Sequence, residues 1–557
     1  MEKREDLRII LIYFSFLFAF LLLSLKVSYL QLFKKDFLKK ISYQQYYRLL
    51  PLWGKRGNIF DRKKRLLATT ITTYSIFADP SLIFSPKRSA DLLSKELNLP
   101  QDLIYKKIKD NKDKKFIWIK RKVFWQEWEK IKNLKLKGIG SLKEEKRFYP
   151  QGDLASHILG RVDIDNRGLE GVELVYDEFL KGKTGWVKVF KDSTFKEVIF
   201  TPRVITPQQG KDIILTLDSQ IQYWTEKFLA ETVKRFEAKG GSVIVMDAFT
   251  GEIIALANYP DFNPNQRGLE NIINRAISDI FEPGSVFKVV ILLAALEENK
   301  FSEEDKIFCE KGKFRIPGSI LHDWKPYGEL NFKEVFKKSS NIGVSKIATS
   351  LGEEVIYRYI KKLGFGEKTG IDLPGEAKGI VKSLNKWSKT SSYIIPIGQE
   401  IAVSLLQLVR AFAVIVNGGY LVKPHVLKSI YFEGGKKDFV LLRKKVIFSH
   451  TCERAKEILF EVVKDGTGKL AYIEGVKIAG KTGTAQKFDV KLGRYSPTKY
   501  RATFVGFIDE IEFPFVIGVT IDEPKKHHFG GVVAAPLFKK IVECILNYWR
   551  GDFLVRK

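Results

Sequence analysis

Between Phe281 and Leu296 the chain reads Phe-Glu-Pro-Gly-Ser-Val-Phe-Lys-Val-Val-Ile-Leu-Leu-Ala-Ala-Leu, and this stretch constrains the fold more than any other. Pro283 and Gly284 interrupt the preceding segment, and the eight residues after Lys288 are uncharged and apolar. A helix apolar all round is buried, and eight residues cannot cross a bilayer, so the run predicts a core helix of a globular domain. Ser285 then falls in the first turn, with Lys288 at i+3 on the same face. A lysine in such surroundings is poorly solvated as an ammonium, which lowers its pKa and lets it accept a proton. A serine beside a base, at a helix N-terminus that favours negative charge, has what an acylated nucleophile needs. The spacing alone is cheap. It recurs at Ser193–Lys196, Ser383–Lys386 and Ser496–Lys499, where a surface serine near a snorkelling lysine is the plain reading.

A chain of 557 residues exceeds one ordinary core, so two or three domains are expected. A hydrophobic share of 45% with 29% charged residues predicts folding rather than disorder. The net charge of +29, from 94 basic and 65 acidic residues, points to anionic surroundings such as lipid head groups or a charged polymer. Nucleic acid is not expected as a partner: the lysines are spread along the chain, without zinc-finger spacing, an RNP-type aromatic motif or a basic arm. Three cysteines, Cys309, Cys452 and Cys544, lie far apart and form neither a disulfide scaffold nor a metal-ligand pattern. The nearest approach to a metal cluster is Cys309 with His322-Asp323. Few Met and Cys against abundant Lys and Glu suit a heat-adapted source.

Ile9 to Leu25 is uncharged and almost wholly apolar, roughly 26 Å as a helix, which fits an uncleaved membrane anchor. Basic residues on both sides, Lys3, Arg4 and Arg8 before it and Lys26, Lys34 and Lys35 after, leave its orientation open. Residues from about 40 to 205 read as a structural α+β module without chemistry of its own. Arg56–Arg62 and Arg65–Ala68 predict a turn into a strand. Helical segments are expected around Ala90–Glu96 and Val123–Ile131, and Gly168–Glu173 leads into a helix ending near Leu180. Thr201–Gly210, rich in Pro, Gln and Gly, reads as a linker. Beyond it, Ile213–Leu217 predicts a strand, Gln220–Lys234 an amphipathic helix, and Gly241–Leu256 a hairpin. Ala502–Ile508 with Phe515–Thr520 form another strand pair, and Ala535–Trp549 a closing helix. Strands at both ends of a helical middle predict one antiparallel sheet covered by helices, an α+β fold.

Two further motifs follow Ser285 in order. Ser339-x-Asn341, within Lys337-Lys-Ser-Ser-Asn-Ile-Gly-Val-Ser345, supplies a hydroxyl and a carboxamide two residues apart; Ser383-Leu-Asn385 matches equally well. Lys481-Thr-Gly, within Ile478-Ala-Gly-Lys-Thr-Gly-Thr-Ala-Gln486, offers a cation, the hydroxyls of Thr482 and Thr484, and Gly483, beside which a ligand could lie close to the backbone. Lys-Thr-Gly also occurs at Lys183 and Lys368, but without the Thr-Ala-Gln continuation. The ordered set resembles the penicillin-recognising serine acyltransferases. The flanks Arg275–Ser285, Lys338–Lys346 and Gly398–Leu408 resemble class B penicillin-binding proteins, closest to the cell-division FtsI-type branch. Arg56–Ala68 and Gly168–Gly182 resemble the pedestal of that class.

The resemblance implies a short cytoplasmic segment over residues 1–8 and a transmembrane anchor over 9–25. A non-catalytic, dimerisation-like pedestal over 26–205 and a penicillin-binding transpeptidase domain over 206–557, built on a five-stranded antiparallel sheet, would follow. It implies a single-pass protein of the cytoplasmic membrane whose catalytic domain lies outside. There it would cross-link peptidoglycan stem peptides in septal wall synthesis as a D,D-transpeptidase and be acylated by β-lactams. Ser285 would be the nucleophile and Lys288 its base, with Ser339 and Lys481 relaying the proton to the leaving amine. Asn341 would hold the peptide amide, and Lys481, Thr482 and Thr484 the terminal carboxylate. The backbone N–H groups of Ser285 and Thr484 would form the oxyanion hole. A lipid-II polymerase of the FtsW type and other division proteins are the implied partners. No cofactor is expected, and no metal, because the cysteine that accompanies a zinc site in elongation-type relatives is missing near Ser339. Rival readings are an elongation-type transpeptidase, a β-lactamase, a β-lactam sensor, and a division scaffold with secondary catalysis. The anchor and pedestal are unusual for a β-lactamase, and a sensor would need a signalling domain for which the first 25 or so residues leave no room.

Overall fold

The computed structural model describes residues 2–38, 47–52, 54–191, 197–198, 204–266, 268, 270–489, 493–510, 512 and 514–555. The chain forms two compact units, Met1–Lys55 with Gly182–Gln209, and Arg56–Lys181 with Gly210–Lys557. In the first, a helix runs over Glu2–Phe33; within its stretch Leu7–Phe33 an 18-residue window has a mean hydropathy of 2.4, and none of that window is buried. It continues eight residues beyond the expected end at Leu25, because a single lysine at 26 does not break a helix and no Gly or Pro occurs from Ile9 to Phe33. The same unit holds a four-stranded antiparallel sheet in which Gly185–Lys191 pairs with Tyr47–Leu52, Glu197–Val198 and Val204–Ile205. Part of the expected linker is therefore strand, while 201–203 and the Ser193–Lys196 match lie outside the described residues.

The second unit is organised on a five-stranded antiparallel sheet in the order Ile253–Tyr259, Gly240–Asp247, Phe515–Asp522, Arg494–Ile508, Ile478–Asp489. Strand Gly240–Asp247 shows why its sequence is apolar without alternation. Successive side chains point to opposite faces, and both faces are covered: Val243 and Val245 enter a core shared with helices Ser219–Arg235 and Ala535–Val555, whereas Ile244 and Met246 enter the core of helices Lys288–Glu297 and Leu405–Val416. Helix Ser219–Arg235 starts where Asp218 caps it, its carboxylate accepting from the N–H groups of Gln220 and Ile221.

A second sheet of seven strands joins sequence-distant segments. Ile59–Phe60 pairs in parallel with Asp212–Leu215 and antiparallel with Leu66–Ala78, which pairs with Ile117–Val123 and Ile139–Phe148; Leu427–Phe432 and Gly435–Asp438 extend the other edge. Hydrogen bonding thus runs unbroken from segment 56–181 into the part of the chain after Gly210. Helices Pro86–Leu97 and Trp125–Asn133 stand close to their expected places, and Gln101–Lys109 forms a further helix. Two short helices, Gly171–Val175 and Asp177–Leu180, occupy the segment expected to be one. Their Glu173 is fully buried between Arg56 and Arg147, each at 2.6 Å.

Candidate active site

The turn carrying Ser285 is held from two sides. Phe281 and Val403 exchange backbone hydrogen bonds of 3.0 and 2.9 Å, and Gly284 N–H donates to the Gly398 carbonyl at 3.2 Å. Gly284 has φ +55°, a conformation that disfavours side chains, and the Pro-Gly pair makes the sharp entry the sequence foreshadows. The residue differs from expectation in one respect: Ser285 sits in a 3₁₀ turn, Gly284–Phe287, and the α-helix begins at Lys288. In a 3₁₀ turn residues i and i+3 eclipse, so serine and lysine still share a face. Ser285 is half-buried, while Lys288 is completely enclosed.

Four of the side chains singled out from sequence, Lys288, Ser339, Asn341 and Lys481, form one connected cluster. Lys288 Nζ lies 3.2 Å from Ser339 Oγ, 2.7 Å from the Ser339 carbonyl and 2.7 Å from Asn341 Oδ1. Lys481 Nζ lies 2.9 Å from the same Ser339 Oγ. Two buried ammonium groups on one hydroxyl repel each other and lack water. Burial first, and the Lys481 charge second, hold Lys288 well below the ordinary lysine range, with Asp323 opposing. Burial alone pushes Lys481 down to about 7. At neutral pH the pair can therefore hold a free amine, to which Ser339 can donate, and a proton can pass between the amines through one hydroxyl. Ser339 has φ +58°, left-handed and rare for a non-glycine residue, as strained positions at working sites often are.

Strand Ile478–Asp489, which carries Lys481, Thr482, Gly483 and Thr484, is the edge of the five-stranded sheet beside the Ser285 turn. An edge strand has a row of backbone donors and acceptors unused by another strand, which an extended peptide can pair with. The glycine has a different reason from the one the sequence supplies. A Cβ on Gly483 would lie 2.7 Å from Val286 Cγ2 and 2.8 Å from the Pro283 carbonyl, so it is the serine turn, not a ligand, that needs the bare backbone. Thr482 Oγ1 pairs with Thr467 Oγ1 at 2.8 Å, and Thr484 Oγ1 accepts from the Gly530 N–H at 3.0 Å.

Sequence reasoning missed the group that fixes the Ser339–Asn341 turn. Asp323 Oδ2 accepts from Ser340 Oγ at 2.6 Å, and Oδ1 accepts from the N–H groups of Asn341 and Ile342. Ser340 Oγ in turn accepts from Gly343 N–H at 2.9 Å, so a serine and a carboxylate together cap helix Asn341–Leu351. The adjacent His322 carbonyl accepts from Asn341 Nδ2 at 2.9 Å, which leaves the carboxamide fixed in one orientation. The pairing His322-Asp323 was the only signal, and it pointed to metal chemistry. Asp323 instead spends both oxygens on backbone and hydroxyl donors. Cys309 lies 3.5 Å from Ser340 Oγ, and no group of three or more candidate ligands gathers among the described residues.

Comparisons with known proteins cover most of the chain. A penicillin binding protein transpeptidase domain matches residues 241–543, and a penicillin-binding protein dimerisation domain matches residues 51–215. A probable peptidoglycan D,D-transpeptidase, PenA, from Neisseria gonorrhoeae is 36% identical over 93% of this chain and 89% of its own length. Stage V sporulation protein D of Bacillus subtilis is 34% identical over 94% of this chain and 83% of its own length. Among solved structures, penicillin binding protein 3 of Mycobacterium tuberculosis, complexed with aztreonam, superposes with a TM-score of 0.70. It shares 27% identity, covering 90% of this chain and 97% of that one.

Proposed function

The chain belongs to the class B penicillin-binding proteins, peptidoglycan D,D-transpeptidases, and from that premise we propose that it cross-links septal wall through an acyl-enzyme on Ser285. The observation that carries this reading is the convergence of Lys288 and Lys481 on Ser339 Oγ beside the serine turn. Ser285 Oγ attacks the penultimate D-alanine carbonyl of a stem peptide while its proton passes to the neutral Lys288 amine. The backbone N–H groups of Ser285 and Thr484 receive the developing oxyanion, a contribution of about 3 kcal/mol per donor. The tetrahedral centre collapses, the C–N bond breaks, and the terminal D-alanine leaves with a proton relayed through Ser339. An amine of a neighbouring stem peptide then attacks the ester; its proton passes by the same path to Lys288 and on to Ser285 Oγ as the ester C–O bond breaks, which restores the free serine. Asn341 Nδ2 holds the peptide amide, and Lys481 with Thr482 and Thr484 holds the terminal carboxylate. Gly483 serves by letting the strand close on the serine turn.

In this reading residues 26–205 are the pedestal and 206–557 the penicillin-binding domain, on the outer side of the cytoplasmic membrane behind a single N-terminal span. The division branch rests on the flanks of the three motifs; the sporulation relative matches nearly as well as PenA, so an elongation or sporulation role is the second reading. An FtsW-type lipid-II polymerase is the partner in either case.

The test is covalent labelling of the full chain with a fluorescent penicillin, followed by peptide mapping. An adduct on the peptide containing Ser285 is expected, stable for long periods; an adduct elsewhere, or rapid turnover of the drug, would overturn the reading. The pH dependence gives a second expectation. Acylation needs a neutral Lys288 amine, so its rate should rise with pH along a limb that burial, and then the Lys481 charge, set well below the ordinary lysine range. In Lys481→Gln burial still depresses Lys288 but the Lys481 charge no longer adds to it, so its pKa rises and the ascending limb should move to higher pH. A limb that stays in place would show that Lys288 does not set it.

A further inference from the structure

Away from the serine turn, a cavity of about 430 Å³ opens between helices Glu353–Lys362 and Leu405–Val416 and strand Arg443–Lys445. Its wall carries Lys361, Lys362, Lys368, Arg410, Lys444 and Lys445, and a single carboxylate, Glu367. That carboxylate is already taken by Lys361 at 2.6 Å. Lys445 donates to the Gly418 carbonyl and Ser449 Oγ, neutral partners that leave its charge uncancelled.

Arg410 is the most telling member. Its Nε donates to the Val422 carbonyl at 2.8 Å, and no carboxylate pairs with it among the described residues. Glu376 lies near enough to be felt, but its oxygens accept from Thr369 N–H, Thr369 Oγ1 and Gly370 N–H. Burial therefore pushes the guanidinium pKa down, with Glu376 and Glu367 opposing only in part. Gly364, at φ +81°, lets the backbone lie against the group: a Cβ there would be 3.0 Å from Arg410 Nη1. A half-buried guanidinium without a counter-charge is costly, and five lysines around it add repulsion. An anion relieves both.

We propose that this cavity binds a ligand bearing a phosphate or diphosphate group, held by the Arg410 fork and neutralised by Lys362, Lys368 and Lys444. A lone carboxylate would occupy the fork and leave the lysines unmatched, whereas a phosphoryl group brings further charge and oxygens that meet donors from several directions. The site is independent of the acyl-enzyme reading. It stands on a helix that starts at Ser404, directly after the Val403 backbone that pairs with Phe281, so its occupant would sit on an element continuous with the frame of the serine turn. The phosphate can be carried by a lipid head group or by a water-soluble molecule, since both present the same charge and oxygens to these donors.

The experiment is phosphorus NMR of pyrophosphate titrated with the detergent-solubilised full chain. Saturable broadening is expected, with affinity at least about tenfold weaker in Arg410→Gln and in Lys444→Gln, as loss of a charged hydrogen-bond donor predicts. Penicillin labelling of each variant serves as the check on folding, and Lys444, exposed on its strand, can be replaced without disturbing the core. The double variant Lys106→Gln/Lys107→Gln, on a distant helix, should bind as wild type. No saturable broadening, or equal weakening in that control, would overturn the proposal in favour of diffuse charge attraction. Displacement by monomeric short-chain phosphatidylglycerol assigns the lipid source, and displacement by inorganic phosphate alone assigns the soluble one; displacement by neither also overturns it.

Discussion

Replacing Lys288 by methionine is expected to slow acylation by a β-lactam by about a hundredfold to ten-thousandfold, the range a positioned general base contributes. The side chain is wholly enclosed, and among the described residues its amine is the one cation that reaches both Ser339 and Asn341. Methionine keeps an unbranched stem of similar volume, so the packing of the helix Lys288–Glu297 should survive, while the proton acceptor is lost. Lys481 remains and still reaches Ser339 Oγ, which gives the variant a residual path through the hydroxyl. The residual rate should therefore carry a limb set by Lys481 alone, near pH 7. The measurement is the second-order acylation rate across pH, beside the melting temperature. A rate within tenfold of wild type would remove Lys288 from its proposed role. A collapse of melting together with rate would instead mark the amine as structural, and a Lys288→Arg variant would separate the two, since a guanidinium keeps the charge and donors but cannot act as a base at neutral pH.

The sequence revealed what is written in short spans. The apolar run after Lys288 announces a buried helix because no other environment accepts it, and the strand Gly240–Asp247 is continuous in apolar residues because both of its faces are covered. The three motifs were visible as triplets, but triplets are cheap. Their meeting at a single hydroxyl depends on a left-handed Ser339 and on Asp323, which is 16 positions upstream and has no motif of its own. Nothing local marks Ile478–Asp489 as an edge strand, and nothing local says that Gly483 is bare because Val286 presses on it. These are facts of long-range packing, where a residue's reason lies in a segment two hundred positions away. The 3₁₀ turn at Ser285 is a smaller case: the Pro-Gly signal fixed the break, but not the tighter winding that follows.

The same limit hides the buried ion cluster that ties Arg56, Arg147 and Glu173, and its loss should be the largest stability effect in the chain. Glu173 is completely buried, with Oε2 at 2.6 Å from Arg56 Nε and Oε1 at 2.6 Å from Arg147 Nε. Tyr149 OH donates to the same Oε1 at 3.3 Å, and Arg147 Nη1 to the Gly57 carbonyl at 2.6 Å. Asp177 takes the remaining side of Arg56 at 2.6 Å, with its carboxylate part exposed. One carboxylate thus joins the strand Ile139–Phe148, the short helix Gly171–Val175 and the chain entering Ile59–Phe60. Glu173→Ala strands two guanidinium groups without their shared counter-charge, for an expected loss of about 3–5 kcal/mol. Because the chain has several parts, the effect belongs in amide exchange of strand Leu66–Ala78, whose protection should fall, more than in a single global melting temperature. The penicillin-labelled site, which uses none of these residues, should keep its acylation rate at low temperature. A triple apolar variant, Arg56→Met, Arg147→Met and Glu173→Leu, should recover much of the lost protection, since the penalty lies in unpaired charge and not in the volume of the cluster. Should the triple variant be as unprotected as Glu173→Ala, the backbone hydrogen bonds made by the two arginines, to Gly57, Asn166 and Glu173, would be what holds the segments together.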